Sequence, residues 1–155
     1  MKKLIITSSI VVLLDQAIKI ILSIFNVDSI NVINNFFKIT LVHNYGAAWS
    51  LLNGYRLFLI VVSILELFII YNIFIKNQKV KNGITLGMLI GGIIGNLIDR
   101  IIYGYVIDYL DFNIFGYNYP VFNLADSMIV ISIILLILFI NKGDTYDSRK
   151  RSQKN

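Results

Sequence analysis

The chain has no cysteine and a single histidine. There is accordingly no disulfide framework, no thiolate nucleophile and no Cys-based metal site. His43 cannot build a metal cluster alone, and no serine has a plausible base beside it, which weakens nucleophilic hydrolysis. Charge is also scarce: 15% of residues are charged, against roughly 25% in an ordinary soluble domain. No basic stretch is interleaved with aromatics, so nothing argues for nucleic acid. There is no internal repeat, and the one low-complexity stretch is the polar tail 143–155. A cleaved leader is disfavoured, because Asp15, Gln16 and Lys19 interrupt the first apolar stretch and no Ala-x-Ala site follows it.

What the chain has is hydrophobic residues, 57% of the total, with a mean hydropathy of +0.74. Four apolar stretches, about 4–22, 57–75, 84–102 and 124–140, match the roughly 17–25 residues that cross a bilayer. Lipid cannot satisfy an open backbone, so these read as helices. Residues 1–142 are expected to form one integral membrane domain, and 143–155 a polar cytoplasmic tail. Of the 14 basic residues, ten flank the spans on one side: Lys2, Lys3, Lys76, Lys79, Lys81, Lys142, Arg149, Lys150, Arg151 and Lys154. The positive-inside rule then puts both termini in the cytoplasm and the loops 23–56 and 103–123 outside. The first outer loop mixes β-branched and aromatic residues over 30–42 around an Asn34-Asn35 turn signal, which predicts a short sheet on the outer membrane face. Phe36, Phe37, Tyr45 and Trp49 suit the membrane–water interface.

Against this background the acids stand out, since ionisable groups at membrane depth face protein interior or water and mark function. Asp99 lies about 22 Å along the third span, near its outer end. Asp126 opens the fourth span, and Asp108 sits in the loop between them. Three carboxylates thus converge on one membrane face; topology does not say which two meet. Asp15 and Lys19 are spaced i, i+4 on the first span, acid first, which suits a structural ion pair. Gly83, Gly87, Gly91 and Gly95 form a helical stripe that allows close helix packing, and Asn96 and Asp99 continue that face. Glu66, in the second span, has no assigned role. A carboxylate-only metal site lacks support. Two close carboxylates offer another chemistry: one keeps its proton and polarises a carbonyl while the other draws a proton from water.

Five motifs occur in order: Asp15-Gln16-Ala17-Ile18-Lys19, Asn44-Tyr45-Gly46-Ala47-Ala48-Trp49, Gly95-Asn96-Leu97-Ile98-Asp99-Arg100, Val106-Ile107-Asp108-Tyr109 and Phe122-Asn123-Leu124-Ala125-Asp126. In these the chain resembles the bacterial lipoprotein signal peptidases (signal peptidase II), over almost its whole length. Tyr109 stands where that family commonly has Phe, a tolerable departure. The resemblance implies an all-α membrane protein, a four-transmembrane-helix bundle with a small extracytoplasmic β-rich subdomain in the first outer loop. It implies an aspartic endopeptidase without cofactor or metal, with Asp108 and Asp126 as the catalytic pair. Asp15, Lys19, Asn44, Gly46, Asn96, Asp99, Arg100, Asn123 and Ala125 would bind substrate or support the site. Asp99 is the chief rival for a catalytic role, but its place beside Arg100 suits an ion pair or a helix-end bond. The implied substrates are prolipoproteins bearing a diacylglyceryl-cysteine, cut before that cysteine. The implied setting is the bacterial cell membrane, with the site near the outer face, lipid as neighbour and a monomer as the simplest state. A presenilin-like or prepilin-type aspartic protease is one rival reading, but the Gly-x-Gly-Asp signature is absent; a proton-coupled transporter and a non-catalytic scaffold are two others. The transporter reading lacks a continuous polar path and an inverted repeat; the scaffold reading leaves the acids at 99, 108 and 126 unexplained.

Overall fold

The structure, a computed structural model, describes residues 1–47, 51–76 and 82–152, with side chains of the last helix described to Leu138. Ala48, Trp49, Lys79 and Lys81 lie outside the described residues. Helix α1 spans Lys2–Ile24, α2 Arg56–Ile70, α3 Gly83–Ile102 and α4 Leu124–Ser152. Helix α2 continues as a π-helical turn over Tyr71–Lys76. Strands β1 (Ser29–Ile33), β2 (Phe37–Asn44), β3 (Val106–Ile114) and β4 (Tyr117–Asn118) form one antiparallel sheet in the order β1-β2-β3-β4.

Among the described residues, three helical segments, Lys2–Ile24, Arg56–Lys76 and Gly83–Ile102, are long and apolar enough to cross a membrane. The fourth helix contributes a shorter apolar segment, Leu124–Leu138. Burial is inverted relative to a soluble bundle. Leu13, Leu57, Leu65, Phe68 and Val130 are more than half exposed, whereas Asp15, Lys19, Asn96, Asp99 and Ser132 are buried. Water would penalise that distribution and hydrocarbon favours it.

Helix α3 is the hub, packed against α1 on one side and α4 on the other. The predicted glycine stripe packs on α1. A Cβ at Gly83, Gly87, Gly91 or Gly95 would meet Leu4, Thr7 and Ser8, Val11, or the Asp15 carboxylate, within 2.7–3.2 Å. Gly92 is turned roughly 100° from Gly91 and faces α4, where a Cβ would stand 2.5 Å from the Ala125 carbonyl oxygen. An apolar cluster of Ile70, Leu86, Leu89, Ile93 and Leu136 fills the other half of the bundle. The Asn82 side chain caps α3 by accepting from Ile84 N and Thr85 N.

The β-structure departs from the sequence expectation. It is not confined to the first outer loop: β3 comes from the second loop, pairs with β2 along most of its length and carries β4 as a short hairpin partner. The stretch Val106-Ile107-Asp108-Tyr109 is buried throughout, so it shows none of the apolar/polar alternation that marks a half-exposed strand. The protein is thus a helical membrane fold with a small antiparallel sheet built from both loops, rather than all-α with a first-loop accessory.

Candidate active site

The site forms where the C-terminal halves of α1 and α3, the first turn of α4 and strand β3 meet. On α1 and α3, Lys19 Nζ lies 2.7 Å from both Asp15 Oδ2 and Asp99 Oδ2, with all three side chains essentially sealed from solvent. Each remaining oxygen is also used. Asp15 Oδ1 accepts from Ala125 N at 3.0 Å, Asp99 Oδ1 from Gln16 Nε2 at 2.8 Å, and Asp99 Oδ2 also from Ile107 N at 3.1 Å. This buried triad therefore pins α4 and β3 to α1 and α3. The expected Asp15–Lys19 pair is present. Of the two readings for Asp99, the ion pair with Arg100 is not formed among the described residues: Asp99 turns to Lys19 and accepts from Ile107 N just beyond the end of α3. Adjacent helical residues point about 100° apart, so they do not share a face.

Asp108 and Asp126 stand on the other side of Asn96. The Asn96 oxygen accepts from Lys19 Nζ at 3.2 Å, while its Nδ2 donates to Asp126 Oδ1 at 2.7 Å. Asn123, immediately before α4, makes a capping box with Asp126. Asp126 N donates to Asn123 Oδ1 at 2.8 Å, and Asn123 N donates to Asp126 Oδ2 at 3.3 Å. The same Asn123 side chain donates to Asp108 Oδ1 at 2.7 Å. Asn44 Nδ2 holds Asp108 Oδ2 at 2.9 Å, and Asn44 Oδ1 accepts from Gly46 N in an Asx turn. Arg100 Nη2 donates to Gly46 O at 3.2 Å. Every sequence-derived candidate thus falls in one connected network, with Asp108 and Asp126 joined through a single asparagine.

The electrostatics of the two groups of acids differ. Among the described residues, no cation lies within 4.0 Å of either Asp108 or Asp126. Their partners are neutral amides and backbone N–H groups. Burial, and secondarily the Asp126 charge, push the Asp108 carboxyl up to about 7, against the lowering effect of the Asn44 and Asn123 bonds. Both carboxylates line a cavity of about 760 Å³ whose other walls are mostly apolar, including Val106, Phe112, Phe122, Ile129 and Val130. No group of three or more His, Asp or Glu among the described residues has a metal-holding arrangement.

Sequence reasoning passed over several contributors. Gln16 bridges Gly95 O and Asp99, a role that its place in the Asp15–Lys19 motif does not reveal. The Tyr109 hydroxyl accepts from Leu124 N at 3.1 Å, steadying the start of α4; burial raises its pKa and keeps it protonated. Arg56 donates to the Arg100 and Ile101 carbonyls at 2.8 Å, closing the C-terminal end of α3. Its position at the start of a span, in a loop otherwise poor in cations, is the signal available in the sequence.

A sequence model described as Signal peptidase (SPase) II matches residues 7–142. A lipoprotein signal peptidase of Staphylococcus aureus (strain JH9) is 39% identical over 148 residues, covering 93% of this chain and 90% of its own length; its counterpart in strain Newman matches equally. Two solved bacterial membrane enzymes, determined by the in meso method at 2.3 and 1.9 Å, superpose with TM-scores of 0.83 and 0.79. They are 35% and 37% identical, covering 94% and 90% of this chain and 92% and 93% of theirs. With the family model spanning most of the chain and these relatives agreeing over nearly all of it, the chain belongs to the signal peptidase II family and is a peptidase.

Proposed function

We propose that the protein is an aspartic endopeptidase that removes signal peptides from diacylglyceryl-modified prolipoproteins, cleaving on the N-terminal side of the lipid-bearing cysteine. The observation that carries this reading is the pair Asp108 and Asp126. Both face one apolar cavity, both are tied to Asn123, and neither has a cation partner among the described residues. Near neutral pH the pair shares one proton, and its titration belongs to the pair. The ionised member takes a proton from water as that water attacks the scissile carbonyl. The protonated member hydrogen-bonds the carbonyl oxygen as negative charge develops on it. Collapse of the tetrahedral intermediate passes a proton to the leaving amine and restores the shared-proton state.

The remaining residues hold this geometry. Asn44 and Asn123 orient Asp108, while Asn96 and the capping box orient Asp126. Arg100 lines the cavity with its guanidinium beside Gly46 and holds substrate backbone there. Asp15, Lys19, Asp99 and Ala125 clamp the framework. The apolar wall receives the lipid-modified residue. We further propose four spans in a bacterial cell membrane, with cytoplasmic termini, the site near the outer face and a monomeric enzyme. The inverted burial and the distribution of basic residues support this placement.

The test assays Asp108→Asn and Asp126→Asn separately on a diacylglyceryl-modified prolipoprotein in bilayers. Each is expected to lose at least about 10²-fold in cleavage rate, the lower end of what positioned proton transfer supplies. Thermal unfolding of both variants is expected to stay close to wild type. Near wild-type cleavage by either variant removes that residue from the pair, and inhibition of the wild type by a chelator would favour carboxylate-bound metal instead.

A further inference from the structure

The far end of the sheet carries a feature that the cleavage reading does not use. Strands β3 and β4 are joined by a tight turn, and its Phe115 is 104% exposed. Phe115 has φ +51°, in the left-handed region, and Gly116 follows at φ +85°. Glycine fits such a turn without strain, but a bulky aromatic there is an outlier that costs free energy. The side chain recovers nothing inside the molecule. Ile114 and Tyr117 beside it are also exposed.

The β1–β2 turn lies at the same end. Asn113 N donates to Phe36 O, and the Phe36 and Phe112 rings meet edge-on at 5.6 Å. Exposed Ile33 and Phe36 therefore extend the apolar end formed by the hairpin. No charged residue occurs in 29–37 or 112–119; the first charges inward along the sheet are the paired Lys38 and Asp111. Ile114 lines the same cavity as Val130 and Ile131, which belong to the apolar face of α4 and lie about 9–10 Å along that helix from Leu124. The turn is thus continuous with the lipid-facing surface of the bundle.

We propose that the Ile114–Tyr117 turn inserts into the interfacial region of the outer leaflet, with phospholipid as its partner. An uncharged tip of aromatic, aliphatic and asparagine side chains has the composition that settles at a membrane–water boundary. Burial of Phe115 in that boundary offsets the strain and exposure that it carries in water. Insertion seats the cavity mouth between Ile114 and Val130 against the acyl chains, so that a lipid-borne substrate reaches Asp108 and Asp126 without leaving the bilayer. This last consequence and the choice of the outer leaflet rest on the proposed function; insertion of the turn into a membrane interface does not.

The absence of cysteine makes the test clean. Full-length Phe115→Cys is labelled with bimane and reconstituted in phosphatidylcholine–phosphatidylglycerol vesicles, with labelled Asp28→Cys, at the opposite end of β1, as the comparison. The 115 label is expected to emit to the blue of the 28 label. It is also expected to lose more than half its fluorescence to shallow doxyl-lipid and to resist aqueous iodide. Water-like emission quenched by iodide overturns the proposal. So does a blue shift without doxyl quenching, which indicates a protein surface such as a second copy. These readouts are independent of cleavage, so loss of the peptidase assignment would leave them standing, and the reverse.

Discussion

Four aspartates, three buried and Asp126 half-buried, sit within one network, yet they form two unlike pairs. Asp15 and Asp99 share a lysine, and their remaining oxygens are consumed by Gln16 and by backbone N–H groups of Ile107 and Ala125. Asp108 and Asp126 are held by asparagines, carry no ion pair among the described residues and open onto a cavity. The first arrangement sets one cation against both acids and commits each carboxylate oxygen to a structural bond. The second has neutral hydrogen-bond partners and lies against an open cavity that Arg100 also lines. Asn96 separates the two, turning its oxygen to Lys19 and its amide nitrogen to Asp126. The lesson is that a carboxylate's role follows from what neutralises it, not from burial alone.

The comparison can be broken first at Lys19. Lys19→Met keeps the bulk and removes the cation, leaving Asp15 and Asp99 buried without a counter-charge. Breaking a buried pair in this way costs about 3–5 kcal/mol, and the loss is expected as a lowered unfolding midpoint in detergent. Loss of cleavage with no loss of stability would move Lys19 into the chemistry. A somewhat smaller effect is expected from Gly92→Val, which drives a side chain into the Ala125 carbonyl and so shifts the α4 turn that carries Asp126. Overpacking of this kind costs about 1–3 kcal/mol, and cleavage should fall with it, because α4 is displaced.

The pH dependence sharpens the contrast further. With its folded pKa at about 7 and a reference value of 3.8, Asp108 binds more proton in the folded than in the unfolded state between those limits. Its contribution to stability therefore declines as pH rises through that window and stays low above it. Cleavage needs the shared proton, so kcat/KM is expected to fall on the alkaline side of about 7. A profile flat through neutral pH would separate Asp108 from the proton-holding role. The smallest effect is at Tyr109: Tyr109→Phe removes the acceptor for Leu124 N and is expected to cost about 1 kcal/mol, with cleavage largely kept.

Much of this architecture is legible in the chain. Long, largely apolar runs mark the long helices, because lipid demands closed backbone hydrogen bonding. The Asp15–Lys19 spacing announces a shared helical face, and the glycine spacing on α3 announces close packing. What escapes a linear reading depends on tertiary crossing. Asp99 finds Lys19 because α3 and α1 approach closely along the glycine stripe, a choice the neighbouring Arg100 conceals. Strand β3 is hidden because both its faces are buried at Asp108, so periodicity is lost. Gly92 lies outside the four-residue repeat and is explained only once α4 is in place. Asn123 shows in sequence as a motif residue, but its three simultaneous tasks, capping α4, holding Asp108 and touching Asn96, need the fold.

The contrast between the two pairs is tested most directly by making Asp99→Asn and Asp126→Asn side by side and measuring single-turnover cleavage and unfolding midpoint on the same preparations. The account predicts that Asp126→Asn unfolds close to wild type and does not cleave, whereas Asp99→Asn is destabilised and retains measurable chemistry. A stable Asp99→Asn that cannot cleave, beside an Asp126→Asn that can, would contradict it.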